Sequence, residues 1–558
     1  MKKNSVSSYS TKHLRASFYF IFLIFIFSKS ATAQKFEFTH DDTLRGSLTP
    51  ERAWWNLQFY HLRVAVNPLD SSLSGSTEIR YQILKSCQTI QIDLQRPLKA
   101  VKIVQDNQEL AFVRDGDAFF VKLQKPQITG NVETITFFYE GRPRVAKRPP
   151  WDGGLSWKKD PKGGWFIATS CQGLGASVWW PCKDHMADEP DSMAISVTVP
   201  KPLMDVSNGR LRRIVDNQNG TRTFEWYVQN PINNYGVNLN IASYVHWHEV
   251  YAGEKGNLDL DFYALPANEA KARLQFAQSK TMLKAFEHWF GPYPFYEDGY
   301  KLVETPYLGM EHQSSVTYGN GFQNGYLGTD LSGTGWGLKW DFIIIHESGH
   351  EWFANNITYQ DAADMWIHEG FTNYSECLYT EYFYGKEAGA AYVIGTRKNI
   401  RNDRPIIGIY NVNRSGSGDM YYKGGNMLHT IRQIIGDDER WRGILRGLNA
   451  RFYHQTVTTA QIENYVSQQA GIDLSHVFDQ YLRDVRIPAF EYKIANKKLT
   501  YRWANCADRF DMPFKISTSG GRKFQRIKPS TDWQSLKIGL ANEVVMDNNF
   551  YVSFKKVE

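Results

Sequence analysis

Two histidines and two glutamates follow a run of apolar residues in the stretch FIIIHESGHEWFANN, Phe342 to Asn356. If this stretch is helical, His346 and His350 lie one turn apart on the same face, with Glu347 beside them. That spacing suits two imidazoles on one metal ion and a carboxylate placed over the metal-bound water. Hydrogen-bonded core histidines on an ordinary amphipathic helix would give the same pattern, so the neighbouring sequence has to decide.

A catalytic zinc site needs a third protein ligand and one open position, and the stretch DMWIHEGFTNYSECLY offers Glu369. Eighteen residues separate it from His350, which is enough for a loop and an antiparallel return helix that turns the acid towards both histidines. Asn373 and Glu376 follow at i+4 and i+7 on the same face, where they would hold the ligands in place by hydrogen bonds. For Glu376 the alternative is a solvated charge on the helix surface.

The hydrophobic patterning divides the chain into three regions around these segments. Short alternating strands such as TIQIDLQ run from about Trp54 to Trp247 and predict a large antiparallel β domain. Helical patterns begin near Pro266 with ANEAKARLQFAQSKTMLKAFEHWFG, predicted as one long helix, and strand alternation returns after Pro488. The predicted fold is multidomain α+β, with an N-terminal β domain at 34–247, a mostly helical catalytic domain at 248–487 and a small β-sandwich-like domain at 488–558.

Length and composition fit a globular protein of several domains. The chain has 558 residues, of which 42% are hydrophobic and 22% charged, and two to four domains are expected at this length. The net charge of +6 is spread along the chain without long basic runs, so no nucleic-acid partner is predicted. Five cysteines without a Cys-x-x-Cys motif argue against a thiolate zinc site and are predicted to be mostly small buried hydrophobes.

The N-terminus has the pattern of a secretory signal peptide. Basic residues in MKKNSVSSYSTKHLR precede the apolar run ASFYFIFLIFIF, and Ala31-Thr32-Ala33 forms a small-x-small cleavage site. Residues 1–33 are therefore predicted to be removed, leaving a mature chain that begins at Gln34 and has no membrane span. The alternative is an uncleaved anchor, but twelve residues are short for a bilayer. Export to the periplasm, cell surface or medium is expected.

Several stretches in this order resemble the gluzincin aminopeptidases, the aminopeptidase N and leukotriene hydrolase group. HESGHEWFANNIT and WIHEGFTNYSE resemble their core, in which His-Glu-x-x-His and a glutamate are separated by eighteen residues. Four further stretches resemble other motifs of the family: TSCQGLGASVWWPCKD, FGPYPF, GMEHQ and MYYKGG. The resemblance runs from about residue 50 to 490, and it implies a thermolysin-like catalytic domain.

The resemblance implies roles for residues around the metal. His346, His350 and Glu369 would bind one Zn²⁺ per chain, and Glu347 would act as the general base. Tyr421 matches the tyrosine that stabilises the oxyanion of the reaction intermediate. The neighbouring Tyr422 is the rival for that role, and both could instead be packed aromatic residues in a Gly-rich turn.

The resemblance also implies a way to recognise peptides with a free N-terminus. Glu311 matches the amine-binding glutamate, preceded by Gly309 and Met310 of the substrate-binding motif, and Gln172 matches a residue that assists it. This chain departs from the usual motif in having leucine at 308 in place of glycine and histidine at 312 in place of asparagine. Amine recognition is expected to survive both departures, while specificity and rate are expected to depend on them.

Three alternatives to a zinc aminopeptidase remain. A leukotriene-hydrolase-like enzyme would add epoxide hydrolase activity, although that subgroup ends in a helical domain and this chain turns to strands after Pro488. An endopeptidase would share the zinc site, but Glu311 would disfavour extended chains. An inactive peptide-binding homologue would retain the fold without catalysis. Because many family members continue into helical repeats that cover the cleft, this chain is expected to have a more open cleft; its oligomeric state is left open.

Overall fold

A computed structural model describes residues 38–538 and 543–558. The predicted signal peptide, residues 1–33, lies outside this range. From Thr39 to Glu558 the chain forms one compact unit. None of the helices in the described range has the length and apolar character needed to cross a bilayer.

The N-terminal region is built on an eight-stranded sheet, and a β-rich N-terminal domain was predicted from strand alternation. Its strands in sheet order are Arg210–Asp216, Thr221–Val228, Ser192–Pro200, Trp55–Asn67, Ser72–Ile83, Val132–Gly141, Lys99–Gln105 and Gln108–Glu109. Neighbours pair antiparallel except Trp55–Asn67 and Ser192–Pro200, which run parallel. Alternating residues give each strand a side-chain period of two but do not show which strands become neighbours, so the parallel pair was not foreseen.

Two smaller sheets complete this domain. One contains Met204–Val206, Asn240–Ala242, Trp165–Ser170 and Gly154–Lys159, and the other contains Thr89–Asp93, Ala118–Lys122 and Phe112–Asp115. Two short helices, His40–Gly46 and Pro50–Ala53, precede the first strand. A hydrophobic core that includes Trp55, Trp179 and Trp180 fills the space between the sheets.

The catalytic region begins with a five-stranded sheet. Its strands in sheet order are Val245–Gly253, Gly256–Ala264, Tyr300–Glu304, Val316–Tyr318 and Gly309–Met310. The predicted domain boundary at 247 falls inside the first of these strands. The edge strand Gly309–Met310 leads directly into Glu311, so this sheet carries one of the predicted site residues.

Helices form the rest of the catalytic region. The α-helices are Glu269–Phe276, Gln278–Phe290, Phe342–Gly349, Trp366–Tyr384, Lys386–Gly395, Tyr422–Ile435, Asp438–Arg451, Thr459–Ala470 and Ser475–Phe478. The segment predicted as one long helix is divided in two at Ala277. Single 3₁₀ turns occur at Pro266–Asn268, Trp336–Lys339, Ala362–Asp364, Thr396–Asn399 and Gly418–Met420, and π-helical turns at Glu351–Asn356 and Asp479–Arg483. One more 3₁₀ turn, Ala176–Val178, belongs to the N-terminal domain. A two-stranded sheet pairs Ile357–Tyr359 with Gln455–Val457.

The C-terminal region consists of two small sheets, in agreement with the predicted β domain. The first contains Gln534–Lys537, Lys498–Ala504, Ala489–Ala495 and Ser553–Lys556, and the second contains Gln525–Ile527, Phe514–Ser517 and Val545–Met546. Phe490 of the first sheet packs against Phe514 of the second, with ring centroids 5.2 Å apart. The apolar core of this region is continuous with that of the catalytic helices.

Candidate metal centre and active site

The helix Phe342–Gly349, here called the histidine helix, carries the candidate ligand His346 and ends at the second candidate, its C-cap His350. Asp341 caps it by accepting hydrogen bonds from the backbone N–H groups of Ile343 and Ile344. Such a cap satisfies donors that the first helical turn leaves unpaired. Every residue of the helix is buried, so His346 projects from a fixed element into the protein interior.

The chain leaves the helical conformation soon after His350, and this break orients the second imidazole. Phe353 has φ −127° and ψ 79°, and its carbonyl oxygen accepts a hydrogen bond from His350 Nδ1 at 3.0 Å. The hydroxyl of Thr372 lies 3.1 Å from the same nitrogen. With Nδ1 donating, Nε2 of His350 keeps its lone pair for a metal ion.

His346 is oriented by Glu376 from the helix Trp366–Tyr384, here called the return helix. The Nδ1 atom of His346 lies 2.8 Å from Oε1 of Glu376, and Asn373 donates to that same oxygen at 3.1 Å. The other carboxylate oxygen of Glu376 accepts from the Tyr392 hydroxyl at 2.6 Å. Glu376 is fully buried, so the alternative of a solvated surface charge does not describe it.

Glu369 on the return helix faces both histidines. Its Oε2 atom lies 3.7 Å from Nε2 of His346 and 3.4 Å from Nε2 of His350. This oxygen is buried and has no hydrogen-bond partner among the described residues. Ligand atoms on a tetrahedral zinc ion stand about 3.4 Å apart, given bonds of about 2.0 to 2.2 Å. Two lone-pair nitrogens and an orphaned carboxylate oxygen at this spacing fit one zinc ion.

The charges in this cluster differ between its two acids. Burial by itself would raise the pKa of Glu369, but the imidazoles of His350 and His346 outweigh it and hold that pKa well below the ordinary value. Burial, opposed by His346, raises the pKa of Glu347 to about 7. Glu369 is therefore ionised, as a metal-binding carboxylate must be, while Glu347 can exchange a proton near neutral pH, as a general base must.

Gln172 links this cluster to the N-terminal domain. Its side-chain amide donates a hydrogen bond to Oε1 of Glu369 at 2.8 Å, which leaves Oε2 facing the two histidines. The sequence assigned Gln172 to amine recognition beside Glu311. The structure places it in the same cavity as Glu311 but bonded to the third candidate ligand, and a direct contact with the substrate amine remains a prediction.

Glu311 lies at the end of the edge strand Gly309–Met310, close to the histidine helix. A Cβ atom added at Gly309 would come within 2.5 Å of Ile343 Cγ2 and 3.2 Å of Glu347 Cγ, so this close approach requires glycine. Oε1 of Glu311 accepts a hydrogen bond from the Tyr235 hydroxyl at 3.1 Å. Glu311 is buried, and burial raises its pKa.

The two departures from the expected motif differ in their surroundings. Leu308 is half-buried and lines the active-site cavity. His312 is fully buried beside the strand, with Nδ1 3.4 Å from the Thr317 hydroxyl. An effect on substrate specificity is therefore expected from position 308 more than from position 312.

The neighbouring tyrosines 421 and 422 both line this cavity, but their surroundings differ. The ring of Tyr421 stacks on that of His346 with centroids 6.0 Å apart. Burial and the nearby carboxylates of Glu369 and Glu311 raise the pKa of Tyr421 well above its ordinary value. Burial and Glu376 raise the pKa of Tyr422. Tyr421 is thus a protonated donor beside the metal cluster. Tyr422 instead interacts electrostatically with Glu376, the acid that contacts Nδ1 of His346.

One cavity of about 540 Å³ is lined by the three candidate ligands together with Gln172, Glu311, Glu347, Tyr421 and Tyr422. Its apolar wall includes residues from the catalytic region: Leu308, Met310, Tyr326, Leu331, Phe342, Ile343, Met365 and Met420. Pro150 and Trp151 of the N-terminal domain also line it, and Trp151 is 68% exposed. Sequence reasoning missed Trp151, Tyr235 and Thr372. Thr372 lies inside the stretch WIHEGFTNYSE, but its position there assigned it no role. For Trp151, a large aromatic residue in a Pro-rich loop was the one available signal.

Comparisons with known proteins agree with this geometry. The family description "Peptidase M1 N-terminal domain" matches residues 57–235, and "Peptidase family M1 domain" matches residues 275–481. A leucyl aminopeptidase of Saccharolobus solfataricus is 22% identical over 421 residues, which are 72% of this chain and 50% of that protein. Leukotriene A-4 hydrolase of Xenopus laevis is 23% identical over 450 residues, 75% of this chain and 68% of that protein.

The fold agrees with solved structures as well. An M1 zinc metallopeptidase from Deinococcus radiodurans superposes with a TM-score of 0.65 at 21% identity, covering 78% of this chain and 96% of that chain. The chain spans about half the length of several curated relatives that it matches.

Proposed function

The chain belongs to peptidase family M1, and on this basis we propose that it is a zinc aminopeptidase that removes the N-terminal residue from peptides. The supporting observation is that the residues predicted as three metal ligands, a general base and an amine-binding acid share one cavity. These residues are His346, His350, Glu369, Glu347 and Glu311. Relatives named as aminopeptidases support the same proposal.

The residues of the chain divide the chemistry among them. His346, His350 and Glu369 would hold one zinc ion, which when bound polarises the scissile carbonyl and activates water for attack. Glu347 removes a proton from the attacking water and returns it to the leaving amine, a task for which a pKa of about 7 is suited. The Tyr421 hydroxyl donates a hydrogen bond to the carbonyl oxygen as negative charge develops there.

Recognition of the free N-terminus is the part that makes the enzyme an exopeptidase. Glu311 pairs with the substrate ammonium and so sets the cut one residue from the end. The edge strand Gly309–Met310 lies in the same cavity, and we place the substrate backbone along it. A fixed carboxylate at this position leaves no room for a chain that continues beyond the N-terminus.

Parallel hydrolysis of one peptide with a free and with an N-acetylated terminus tests this proposal. The wild-type enzyme should cleave the free peptide and barely cleave the acetylated one, because acetylation removes the cation. Glu311→Gln keeps the shape of the side chain and removes its charge. Since breaking one partner of a buried charge pair costs roughly 2 to 5 kcal/mol, kcat/KM on the free peptide should fall at least about thirtyfold.

The zinc content of Glu311→Gln should equal that of the wild type, which separates an amine-site defect from loss of metal. Equal wild-type rates on the two peptides would instead identify an endopeptidase with the same zinc chemistry. Hydrolysis of an epoxide substrate in addition to the peptide would favour the leukotriene-hydrolase alternative. Zinc binding without peptidase or epoxide hydrolase activity would favour the inactive peptide-binding homologue.

We further propose that the protein is exported and matures at Gln34. The support is the basic segment, the apolar run and the Ala31-Thr32-Ala33 site in the sequence. N-terminal sequencing of the protein recovered from cells that export it should begin at Gln34. A chain that retains the apolar run would overturn the cleavage proposal and point to an anchor.

A further inference from the structure

A buried histidine next to the third metal ligand has a hydrogen-bonding state fixed by its surroundings. The backbone N–H of Tyr359 donates to Nε2 of His368 at 2.9 Å, so this nitrogen is an acceptor and carries no hydrogen. A neutral imidazole with an accepting Nε2 carries its hydrogen on Nδ1. His368 is fully buried, and its Nδ1 atom lies 3.5 Å from the hydroxyl oxygen of Tyr235.

The direction of the next hydrogen bond follows from this tautomer. Because Nδ1 of His368 already carries a hydrogen, it cannot accept one from Tyr235, so the single hydroxyl hydrogen of Tyr235 is left to donate elsewhere. Its partner is Oε1 of Glu311 at 3.1 Å, an acceptor when the carboxylate is ionised. The chain of donors therefore runs one way, from the Tyr359 backbone through His368 and Tyr235 to Glu311.

The backbone of Glu311 is held by a separate contact. The side-chain amide of Asn355 donates to the backbone carbonyl oxygen of Glu311 at 3.0 Å. Tyr235 and Glu311 are both buried, and hydrogen bonds in such surroundings are stronger than in water and polarise one another. Tyr235 comes from the N-terminal domain and His368 from the return helix, so Glu311 is aligned by groups outside its own strand.

We propose that Tyr235 and His368 are positioning residues that orient the Glu311 carboxylate towards the ammonium group of the substrate. The inference rests on the proposed aminopeptidase function and extends it to two residues to which the sequence motifs assign no role. A hydroxyl that donates to one carboxylate oxygen restricts rotation of the group and stabilises its ionised form. The alternative is that Tyr235 has a structural role and only provides a hydrogen bond to a buried polar atom. These two roles differ in whether loss of the hydroxyl weakens binding only of ligands that carry an amine.

The test compares two hydroxamates that differ in one group. L-leucine hydroxamate and 4-methylpentanohydroxamate bind zinc through the same oxygens, but only the first has an amine. Their Kd values are measured by calorimetry on the zinc-loaded wild type and on Tyr235→Phe. A hydrogen bond to a charged group changes affinity by about tenfold or more, so Tyr235→Phe should weaken the amine-bearing ligand by that factor and leave the other unchanged.

Kinetics provide a second readout of the same variant. For a free-amine peptide, KM should rise about tenfold while kcat stays within about twofold of the wild type, because the amine contact is present in both ground and transition states. Zinc content should not change. Equal weakening of both hydroxamates, or no weakening of either, would overturn the inference and assign Tyr235 a structural role.

Two variants of His368 keep the inference testable if Tyr235→Phe folds poorly. His368→Asn retains an N–H near the position of Nδ1 and should stay within about threefold of wild-type affinity for L-leucine hydroxamate. His368→Leu removes the donor and should repeat the tenfold, amine-dependent loss. If His368→Leu and His368→Asn had the same Kd for each hydroxamate, His368 would have no positioning role.

Tyr244→Phe is the matched control. Tyr244 is also a buried tyrosine, and its hydroxyl donates to the backbone carbonyl of Glu304 at 2.9 Å. Losing that hydroxyl should change neither Kd. The wild type itself tests the proposed function, because equal Kd values for the two hydroxamates would rule out amine recognition. If Tyr235→Phe kept the wild-type ratio of the two Kd values, only the present inference would be refuted.

Discussion

Gln172 donates a hydrogen bond to Oε1 of Glu369 at 2.8 Å, across 197 positions of sequence. A residue of the N-terminal β domain thus holds an acid of the catalytic helices. The bond occupies one carboxylate oxygen and leaves the other, which has no partner, facing His346 and His350. The N-terminal domain therefore takes part in the metal site as well as in the walls of the cavity.

Gln172→Leu should weaken zinc binding without abolishing it. The leucine cannot donate to Glu369, so the carboxylate is free to rotate, and loss of such a partner typically costs ten- to a hundredfold in metal affinity. Competition with a chromogenic chelator measures the change. An unaltered zinc affinity would show that the return helix alone orients Glu369.

Glu376→Gln should also weaken zinc binding, in this case through His346. The carboxylate accepts from Nδ1 of His346 at 2.8 Å and makes the imidazole a stronger ligand; a neutral amide does so less well. Zinc affinity should fall about tenfold. Glu387→Gln, at an exposed position in the first turn of the next helix, serves as the control and should match the wild type in the same chelator titration.

His350→Ala should remove the metal. Only two of the three candidate ligands would remain, and the wild-type content of one zinc per chain should drop close to zero after dialysis. Elemental analysis of the purified variant gives the answer directly. If it still contained one zinc per chain, the assignment of His350 would be wrong.

Glu347→Gln should keep the metal and lose most of the activity. The amide has nearly the shape of the acid but cannot accept the proton of the attacking water. Removal of a general base typically lowers the rate on the order of a hundredfold or more. Turnover near the wild-type level, with zinc present, would mean that another group is the base.

Tyr421→Phe should lower kcat with little change in KM, since its hydroxyl acts on charge that is present only late in the reaction. Tyr422→Phe is the paired variant, from the neighbouring position in the same cavity, and should retain most activity. Steady-state kinetics of both variants decide between them. The reverse outcome would transfer the oxyanion role to Tyr422.

Spacing along the chain made the metal cluster predictable from sequence. His346 and His350 are one helical turn apart and Glu369 follows on the next α-helix, so local periodicity determines which side chains can converge. Glu376 was harder to interpret, because a helix usually leaves one face in solvent. The return helix is buried from Trp366 to Thr380, and a single sequence does not show how many neighbours surround a helix.

Long-range contacts could not be predicted in this way. Tyr235 reaches Glu311 across 76 positions, and the parallel pairing of Trp55–Asn67 with Ser192–Pro200 joins segments more than a hundred residues apart. Such contacts depend on the way the domains and strands assemble. The break at Ala277 is also invisible to helical periodicity, because both helices use residues with ordinary helix propensity.

The unpaired cysteines bear on how the protein can be made. All five are free thiols, and four of them are buried. A fold without cross-links needs no oxidant to form, even in a chain proposed to leave the cell. Residues 34–558 should therefore reach the same active state in a reducing cytoplasm, and a phosphine reductant that does not bind zinc strongly should leave activity intact.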